Sequence, residues 1–252
     1  MAERLSAIII TLNAERDLPA CLASVAFADE IVVVDSGSTD HTLAIAERGG
    51  ARIINQKWLG YGAQKRFAAN QARNRWVLCL DADERVSPAL STSLQAVLQA
   101  PAAAAYAIPR RNRFMGRWLR HGEGYPDWTV RLFDRERAQW TEDTIHEKVV
   151  VHGSTGRIYG DLLHESEAGL ASYLEKQNRY TTLQATALHT RGKRASVARL
   201  LLSPLLRFVK FYFLRLGFLD GVPGLVHISI GCWNSFAKYA KLRALELEQQ
   251  RS

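Results

Sequence analysis

The sequence predicts an α/β fold with a mostly parallel central sheet flanked by helices and a helical extension at the C-terminus. Three observations carry this prediction. Apolar runs of strand length recur through the first hundred residues, each is followed by a helical spacing of apolar residues, and polar residues gather where the runs stop. Strands alternating with helices at this spacing imply right-handed crossovers, which lay neighbouring strands parallel.

Taken in order, Leu5 to Ile10 is an isoleucine-rich strand. Thr11-Leu12-Asn13-Ala14-Glu15 follows it, and then a helix through Leu18, Leu22 and Val25. Glu30 to Val34 repeats the unit and ends in Asp35-Ser36-Gly37-Ser38-Thr39-Asp40, ahead of a helix through Leu43 and Ala46. In the second of these turns Asp40 is expected to support the helix start. A third strand covers Ala51 to Ile54, and Tyr61 to Arg73 is a helix with Lys65 and Arg66 near its start. The fourth strand, Trp76 to Leu80, stops abruptly at Asp81-Ala82-Asp83-Glu84. Ser87-Pro88 then reads as an N-cap with a first-turn proline.

Two carboxylates one residue apart at the end of a buried strand stand at the sheet edge where open α/β sheets bind ligands. Their mutual repulsion favours a hard divalent cation shared with phosphate oxygens, so the pair reads as a diphosphate-metal site. The phosphatase reading of an Asp-x-Asp motif wants a small residue two places beyond the second acid, and Arg85 stands there. No Gly-x-Gly-x-x-Gly follows the first strand and no Gly-Lys-Ser/Thr phosphate loop occurs, so dinucleotide and ATP-loop readings lack their signatures.

With Thr11-Leu12-Asn13, Val33-Val34-Asp35-Ser36-Gly37-Ser38-Thr39-Asp40 and Leu80-Asp81-Ala82-Asp83-Glu84 in this order, the chain resembles the inverting family-2 glycosyltransferases of the GT-A type, over roughly residues 5 to 100. The resemblance implies a nucleotide-diphospho-sugar transferase fold and a UDP-sugar donor. It further implies that Thr11, Asn13 and Glu15 line the nucleoside pocket, that Asp35 faces the base, and that Lys65 reaches the base or the diphosphate. By the same likeness Asp81 approaches the ribose and Asp83 holds a divalent cation, Mg or Mn. His164, at the end of Leu162-Leu163-His164-Glu165, is a candidate to complete the metal shell or to contact the diphosphate.

An inverting transfer needs a carboxylate that takes the acceptor's proton as it attacks. Asp127, Asp134, Glu142, Asp143 and Glu147 are the acids in range. Glu147 is the first choice because Ile145-His146-Glu147 resembles the acid position of bacterial family members. Asp143 is second because a Thr-Glu-Asp run carries the base in the related cellulose synthases. The competing role for each acid is an ion pair with a nearby arginine. The arginines from Arg110 to Arg120, interleaved with Phe114 and Trp118, are either a solvated face or part of an anionic-acceptor site.

A chain of 252 residues, 47% hydrophobic, is long enough to bury a substantial core. Its formal net charge of +8 sits entirely in residues 189–252, which hold eleven Lys and Arg against three Asp and Glu. Ala198 to Leu219 combines a long apolar content with Arg199, Arg207, Lys210 and Arg215. This favours a segment in the membrane interface over a spanning helix, and it is too greasy for nucleic acid. A turn at Asp220 to Gly224 and a second apolar stretch from Leu225 complete a basic hairpin, for which the alternative is a helical pair packed on the protein. Cys21, Cys79 and Cys232 match neither zinc nor disulfide spacing, and the N-terminus lacks the pattern of a signal peptide. The chain is therefore expected at the inner face of a bacterial cytoplasmic membrane. Its expected organisation is a donor half over residues 1–100, an acceptor and base half over 101–188, and a membrane-interface tail over 189–252.

Together with Tyr125-Pro126-Asp127 and Gly217-Phe218-Leu219-Asp220-Gly221, these features are similar to the lipopolysaccharide-core β-1,4-glucosyltransferase group. That likeness implies transfer of glucose from UDP-glucose to a heptose of a lipid-anchored inner core. A family-2 transferase acting on a polyprenyl phosphate, a polysaccharide or a protein is the alternative. A sugar-nucleotide-binding protein without catalysis is the alternative from another class.

Overall fold

The computed structural model describes residues 2–142, 147–165 and 169–249. The chain forms two compact units, residues 1–111 with 127–165, and residues 112–126 with 166–252.

The first unit is built from β1 (Leu5–Thr11), α1 (Leu18–Ser24), β2 (Glu30–Asp35), α2 (Thr42–Arg48), β3 (Arg52–Asn55), α3 (Tyr61–Gln71), β4 (Trp76–Asp81), β5 (Glu84–Val86) and α4 (Pro88–Gln99). β6 (Ala105–Phe114), β7 (Arg117–Trp118), β8 (Asp127–Asp134), β9 (Ala138–Trp140), β10 (Val149–Val151), β11 (Thr155–Arg157) and β12 (Leu162–His164) follow, of which β7 and the end of β6 belong to the second unit. The main sheet runs in the order β3-β2-β1-β4-β8-β6-β12-β5. Its first four strands are parallel, as the alternation of strands and helices predicts. β8 then pairs antiparallel with both β4 and β6, so the sheet is mixed beyond the fourth strand.

Period-two alternation sends the strand side chains to two separate cores. Ala7, Ile9, Val33, Leu78 and Leu80 pack with Leu18, Leu22, Ala46, Leu90 and Leu94 of α1, α2 and α4. Ile8, Ile10, Val32, Val34 and Val77 pack on the opposite face with Ala68, Ala69 and Trp140. Because both faces are covered, β1 is buried along its whole length and reads as a continuous apolar run. Ser87 caps α4 by accepting from the Leu90 N–H, with Pro88 in the first turn as expected.

The second unit holds α5 (Leu170–Thr190), α6 (Val197–Phe208), a π-helical segment (Val209–Leu214), a 3-10 turn (Gly217–Asp220) and α7 (Gly221–Gln249), with the hairpin of residues 112–126. α7 packs along α5 and α6. Lys241 of α7 donates to the Asn178 carbonyl at 2.8 Å and to Thr181 and Thr182 at 2.9 and 2.8 Å. The turn expected at residues 220–224 lies slightly earlier, as the 3-10 turn Gly217–Asp220 with Gly221 at φ +64°, and residues 221–224 open α7. Pro223 lies in its first turn, where a missing N–H costs no hydrogen bond. No described helix is long and apolar enough to cross a membrane.

His227 of α7 lies against Phe114 and Tyr173, with ring centroids 5.2 and 6.2 Å away. Burial, with Arg207 nearby, pushes its imidazole down to about 4, against a smaller opposing influence of Asp220. The folded state therefore keeps His227 neutral where the unfolded chain protonates it. Stability should fall as pH drops from about 6.5 towards 4. Thermal melts across that range should show the loss, and His227→Leu should remove part of it. An unchanged slope in the variant would show that His227 does not contribute.

Candidate active site

The parallel register sets the site. Thr11 lies beside Asp35 and Ile10 beside Asp81, which brings the ends of β2, β1 and β4 into one row at the carboxyl edge of the sheet. Thr11 donates to Asp35 Oδ1 at 2.9 Å, and the N–H groups of Gly37 and Ser38 donate to Oδ2 at 2.8 Å each. The Ser38 hydroxyl also bonds Oδ1, so the lone-pair positions of this buried carboxylate are filled by its own turn together with Thr11. Asp35 thus holds a loop. Gly37, at φ +104°, gives that loop a backbone conformation that a side chain would strain.

Asn13 and Glu15 are exposed and tie the β1–α1 turn to the β2–α2 turn. Asn13, at φ +50°, accepts from the Thr39 N–H at 2.8 Å, and its own N–H donates to the Ser38 hydroxyl at 2.8 Å. Glu15 accepts from the His41 N–H at 3.0 Å. Asp40 accepts from the Thr42 N–H at 3.0 Å and supports the start of α2, as its position suggests. Gln64, fully buried on α3, donates to the Ser36 hydroxyl at 3.1 Å and to the Gln56 carbonyl at 3.3 Å. The wall of the site is therefore a hydrogen-bonded set of three loops.

Asp81 sits between two buried cations. Lys65 reaches it from α3 at 3.0 Å and Arg131 from β8 at 3.1 Å. Burial pushes the Asp81 carboxyl up, but Lys65 and Arg131 together outweigh it and hold the group well below the usual carboxylate range. Glu84 completes the cluster. It accepts from Arg131 Nη2 at 2.6 Å and, through its other oxygen, from the Asp81 N–H at 3.0 Å. Burial lowers the affinity of Arg131 for its proton, and Glu84 and Asp81 more than restore it. Trp140 lies against both cations, its ring centroid 5.0 Å from Lys65 Nζ and 5.8 Å from the Arg131 guanidinium carbon.

A slip in register aims Arg131. Tyr106 pairs with Leu132 and Ala107 with Val130, which leaves Arg131 as the extra residue of a β-bulge between β6 and β8. Bulges redirect a side chain, and this one directs a guanidinium into the acidic cluster. Arg131→Met leaves Glu84 buried without its main cation, a change that costs about 3–5 kcal/mol. Urea denaturation should record that loss, with partial recovery in Arg131→Lys. A change below about 1 kcal/mol would contradict the arrangement.

Asp83 stands apart from this cluster, with its side chain partly exposed. β12 pairs antiparallel with β5, placing His164 opposite Glu84, and His164 Nε2 comes within 3.3 Å of Asp83 Oδ2. Among the described residues no group of three or more His, Cys, Asp or Glu is placed to hold a metal. The pair nonetheless fits a divalent cation in its donor set and spacing. A carboxylate oxygen and an imidazole nitrogen in adjacent octahedral positions, each at about 2.1 Å, stand roughly 3 Å apart. Asp83 also acts on its neighbour Asp17, whose carboxyl is pushed up by burial and by the Asp83 charge against the pull of Arg16.

The acids considered as base separate by their partners. Asp127 is paired with Arg110 at 2.7 Å, Asp134 with Arg75 at 2.6 Å, and Glu142 with Arg66 at 2.8 Å. Asp143 lies outside the described residues. Glu147 has no ion pair among the described residues. The β9–β10 hairpin brackets it, with Trp140 opposite Val149 and the Thr141 N–H donating to the Lys148 carbonyl at 2.9 Å. This hairpin lies against α3. A Cβ on Gly62 would stand 2.2 Å from the Thr141 carbonyl and 3.2 Å from Glu147 Cβ. Glycine is required there by the Thr141 carbonyl, and the same close approach sets Glu147 beside the helix that carries Lys65.

The structure thus joins Thr11, Asn13, Glu15 and Asp35 in one loop set and Lys65 with Asp81. It sets Asp83 with His164, and Glu147 beside α3. Arg131, Glu84, Trp140 and Gln64 are the members that sequence reasoning did not single out. For Arg131 a local signal existed, a lone charge inside the apolar strand Val130 to Phe133.

Residues 6–157 match the profile of glycosyl transferase family 2. A lipopolysaccharide core biosynthesis glycosyltransferase of Rhizobium meliloti, LpsC, is 32% identical over 94% of this chain and 91% of its own length. An uncharacterised glycosyltransferase of Rickettsia typhi is 32% identical over 98% of this chain and 89% of its own length. Among solved structures, a mannosyltransferase of Pyrobaculum calidifontis in complex with GDP-Man and Mn2+ superposes with a TM-score of 0.55 at 16% identity, covering 100% of this chain and 89% of the other. The fold expected from the sequence, of the GT-A type, is the fold observed.

Proposed function

The chain belongs to glycosyl transferase family 2, and on that premise we propose that it moves a hexose, glucose from UDP-glucose, with inversion onto the heptose region of a lipopolysaccharide inner core. The likeness to the core-biosynthesis transferase over nearly the whole of both chains supports the acceptor class. The observation that carries the chemistry is the division of labour in the Asp-x-Asp pair. Asp81 is already neutralised by Lys65 and Arg131, whereas Asp83, the more exposed of the two, has only His164 beside it as a potential co-ligand among the described residues.

In this reading Asp83 and His164 hold a Mg or Mn ion, and the solved mannosyltransferase of like fold was determined with Mn2+. When bound, such an ion neutralises the charge that develops on the departing diphosphate. The tied loops of Thr11, Asn13, Glu15 and Asp35 shape the nucleoside pocket, and Asp81 fixes the ribose end with Lys65 supplying positive charge nearby. Glu147 accepts the proton of the acceptor hydroxyl as that oxygen attacks the anomeric carbon from the face opposite the leaving group. Residues 1–100 then serve the donor, residues 101–188 the acceptor and base, and the basic apolar segment within 189–252 meets the inner-leaflet surface to which the acceptor is anchored.

Mass spectrometry of the lipid core from cells lacking this protein tests the reading. Loss of a single hexose from the heptose region is expected. An unaltered core together with a defect in a polyprenyl-linked, polysaccharide or protein glycan would replace the acceptor, and no glycan change would support a binding protein without catalysis.

A further inference from the structure

The second unit carries a cavity of about 370 Å3 lined by Leu188, Lys193, Arg194, Arg199, Tyr239 and Leu242. Three of its six lining residues are cationic. Among the described residues none of these three cations forms an ion pair or a side-chain hydrogen bond to an acid. The nearby carboxylate is Glu246, and both its oxygens are committed elsewhere. Oε1 accepts from the Ala195 N–H at 2.6 Å and Oε2 from Arg243 at 2.9 Å. Glu246 therefore pins the α5–α6 loop to α7 and also feels the Arg194 charge, while Lys193, Arg194 and Arg199 remain exposed at the cavity. The loop ends at Ser196, which caps α6 by accepting from the Arg199 N–H, so the positive end of a twelve-residue helix adds to the same potential.

Directly onward along α6 and the π-helical segment, Leu201, Leu202, Leu205, Leu206, Phe213 and Leu214 are each more than half exposed. An apolar ridge of this extent is a poor surface to leave in water. Its helical repeat, with a basic cavity at one end, has the form of a segment lying in the interface of a bilayer, acyl chains on the ridge and headgroups at the cations. The Leu188 and Leu242 walls suit the carbon stem of a headgroup, and the Tyr239 hydroxyl offers a further donor.

We propose that this cavity is a headgroup site for an anionic phospholipid, with Lys193, Arg194 and Arg199 holding the phosphate while the α6 ridge enters the acyl boundary. The proposal rests on the reading that the tail meets a membrane and deepens it by naming the lipid class and the residues that select it. It also assigns the membrane contact to α6 and the segment after it. α7 lies against α5 and α6 and buries Ile228, Ile230 and Leu242.

Sedimentation of the full-length protein with vesicles decides between the outcomes, with phosphatidylcholine alone compared against phosphatidylcholine containing phosphatidylglycerol. The wild-type protein should prefer the anionic vesicles on the order of a hundredfold, about fivefold for each of three cations. The triple variant Lys193→Gln, Arg194→Gln, Arg199→Gln should lose that preference and keep its binding to phosphatidylcholine. The variant Leu201→Gln, Leu206→Gln should bind neither, with an unchanged circular dichroism spectrum and melt. A triple variant that retains the wild-type preference overturns the headgroup site and leaves the membrane reading in place. A wild-type protein that binds neither vesicle overturns both.

Discussion

Asp83→Ala is expected to lower transfer by about a thousandfold or more while leaving the fold intact, since removal of one preorganised electrostatic group costs 10²–10³ and in the proposed site Asp83 is the carboxylate that would hold the cation. The fold should survive because the Asp83 side chain is partly exposed and pairs with His164 at the surface, and the bond that its backbone carbonyl accepts from the Glu165 N–H at 3.1 Å does not need the carboxylate. A sugar-transfer assay across a manganese titration, with a thermal melt alongside, separates the two quantities. Turnover near the wild-type rate at any manganese concentration would remove Asp83 from the site. His164→Ala should act in the same direction with a smaller loss, and excess manganese should offset part of it.

Glu147→Gln should lower kcat by 10²–10⁴ with little change in the affinity for the donor, because a general base acts on the acceptor's proton and not on the nucleotide. The amide keeps the size of the side chain and its place beside Gly62, so a packing role predicts no such loss. Glu142→Gln is the internal comparison. Glu142 is exposed and engaged by Arg66, and its loss should leave kcat within a fewfold of the wild type. Wild-type kcat in Glu147→Gln together with a large loss in Asp143→Asn would move the base to Asp143.

The donor edge of the sheet was legible because apolar runs of strand length stop at polar residues, and the parallel register makes those stopping points neighbours. Asp81 and Asp83 announce themselves in that way, and so does His164 after Leu162 and Leu163. What local pattern does not encode is which of two adjacent acids is consumed internally. The answer depends on Arg131, delivered by a bulge between two strands that are not consecutive in sequence, β6 and β8, where Ala107 pairs with Val130, and on Lys65 from a different element. Asp35 shows the converse. Its position marks it as a ligand, yet its lone pairs are filled by Thr11, Gly37 and Ser38, an assignment that only the turn geometry reveals.

In the tail, Gly221-Val222-Pro223-Gly224 has the composition of a turn, but the turn itself is Gly217–Asp220 with Gly221 at φ +64°, and tertiary contact takes the residues after it into a helix. A Cβ on Gly224 would meet the Gly217 carbonyl at 2.6 Å, and one on Gly231 would meet Glu123 Oε2 at 2.4 Å. The glycines are there for close approach inside a helix, which their local preference alone does not predict. The π-helical segment of residues 209–214 likewise has no signature among its aromatic residues.

The stereochemistry of the product tests the central claim most directly. With UDP-glucose, manganese and a heptose-terminated core oligosaccharide, proton NMR of the product should show a new β-glucosidic linkage formed from the α-linked donor, and Glu147→Gln should suppress it. An α-linked product, or release of free glucose with no linkage to the acceptor, would contradict the account.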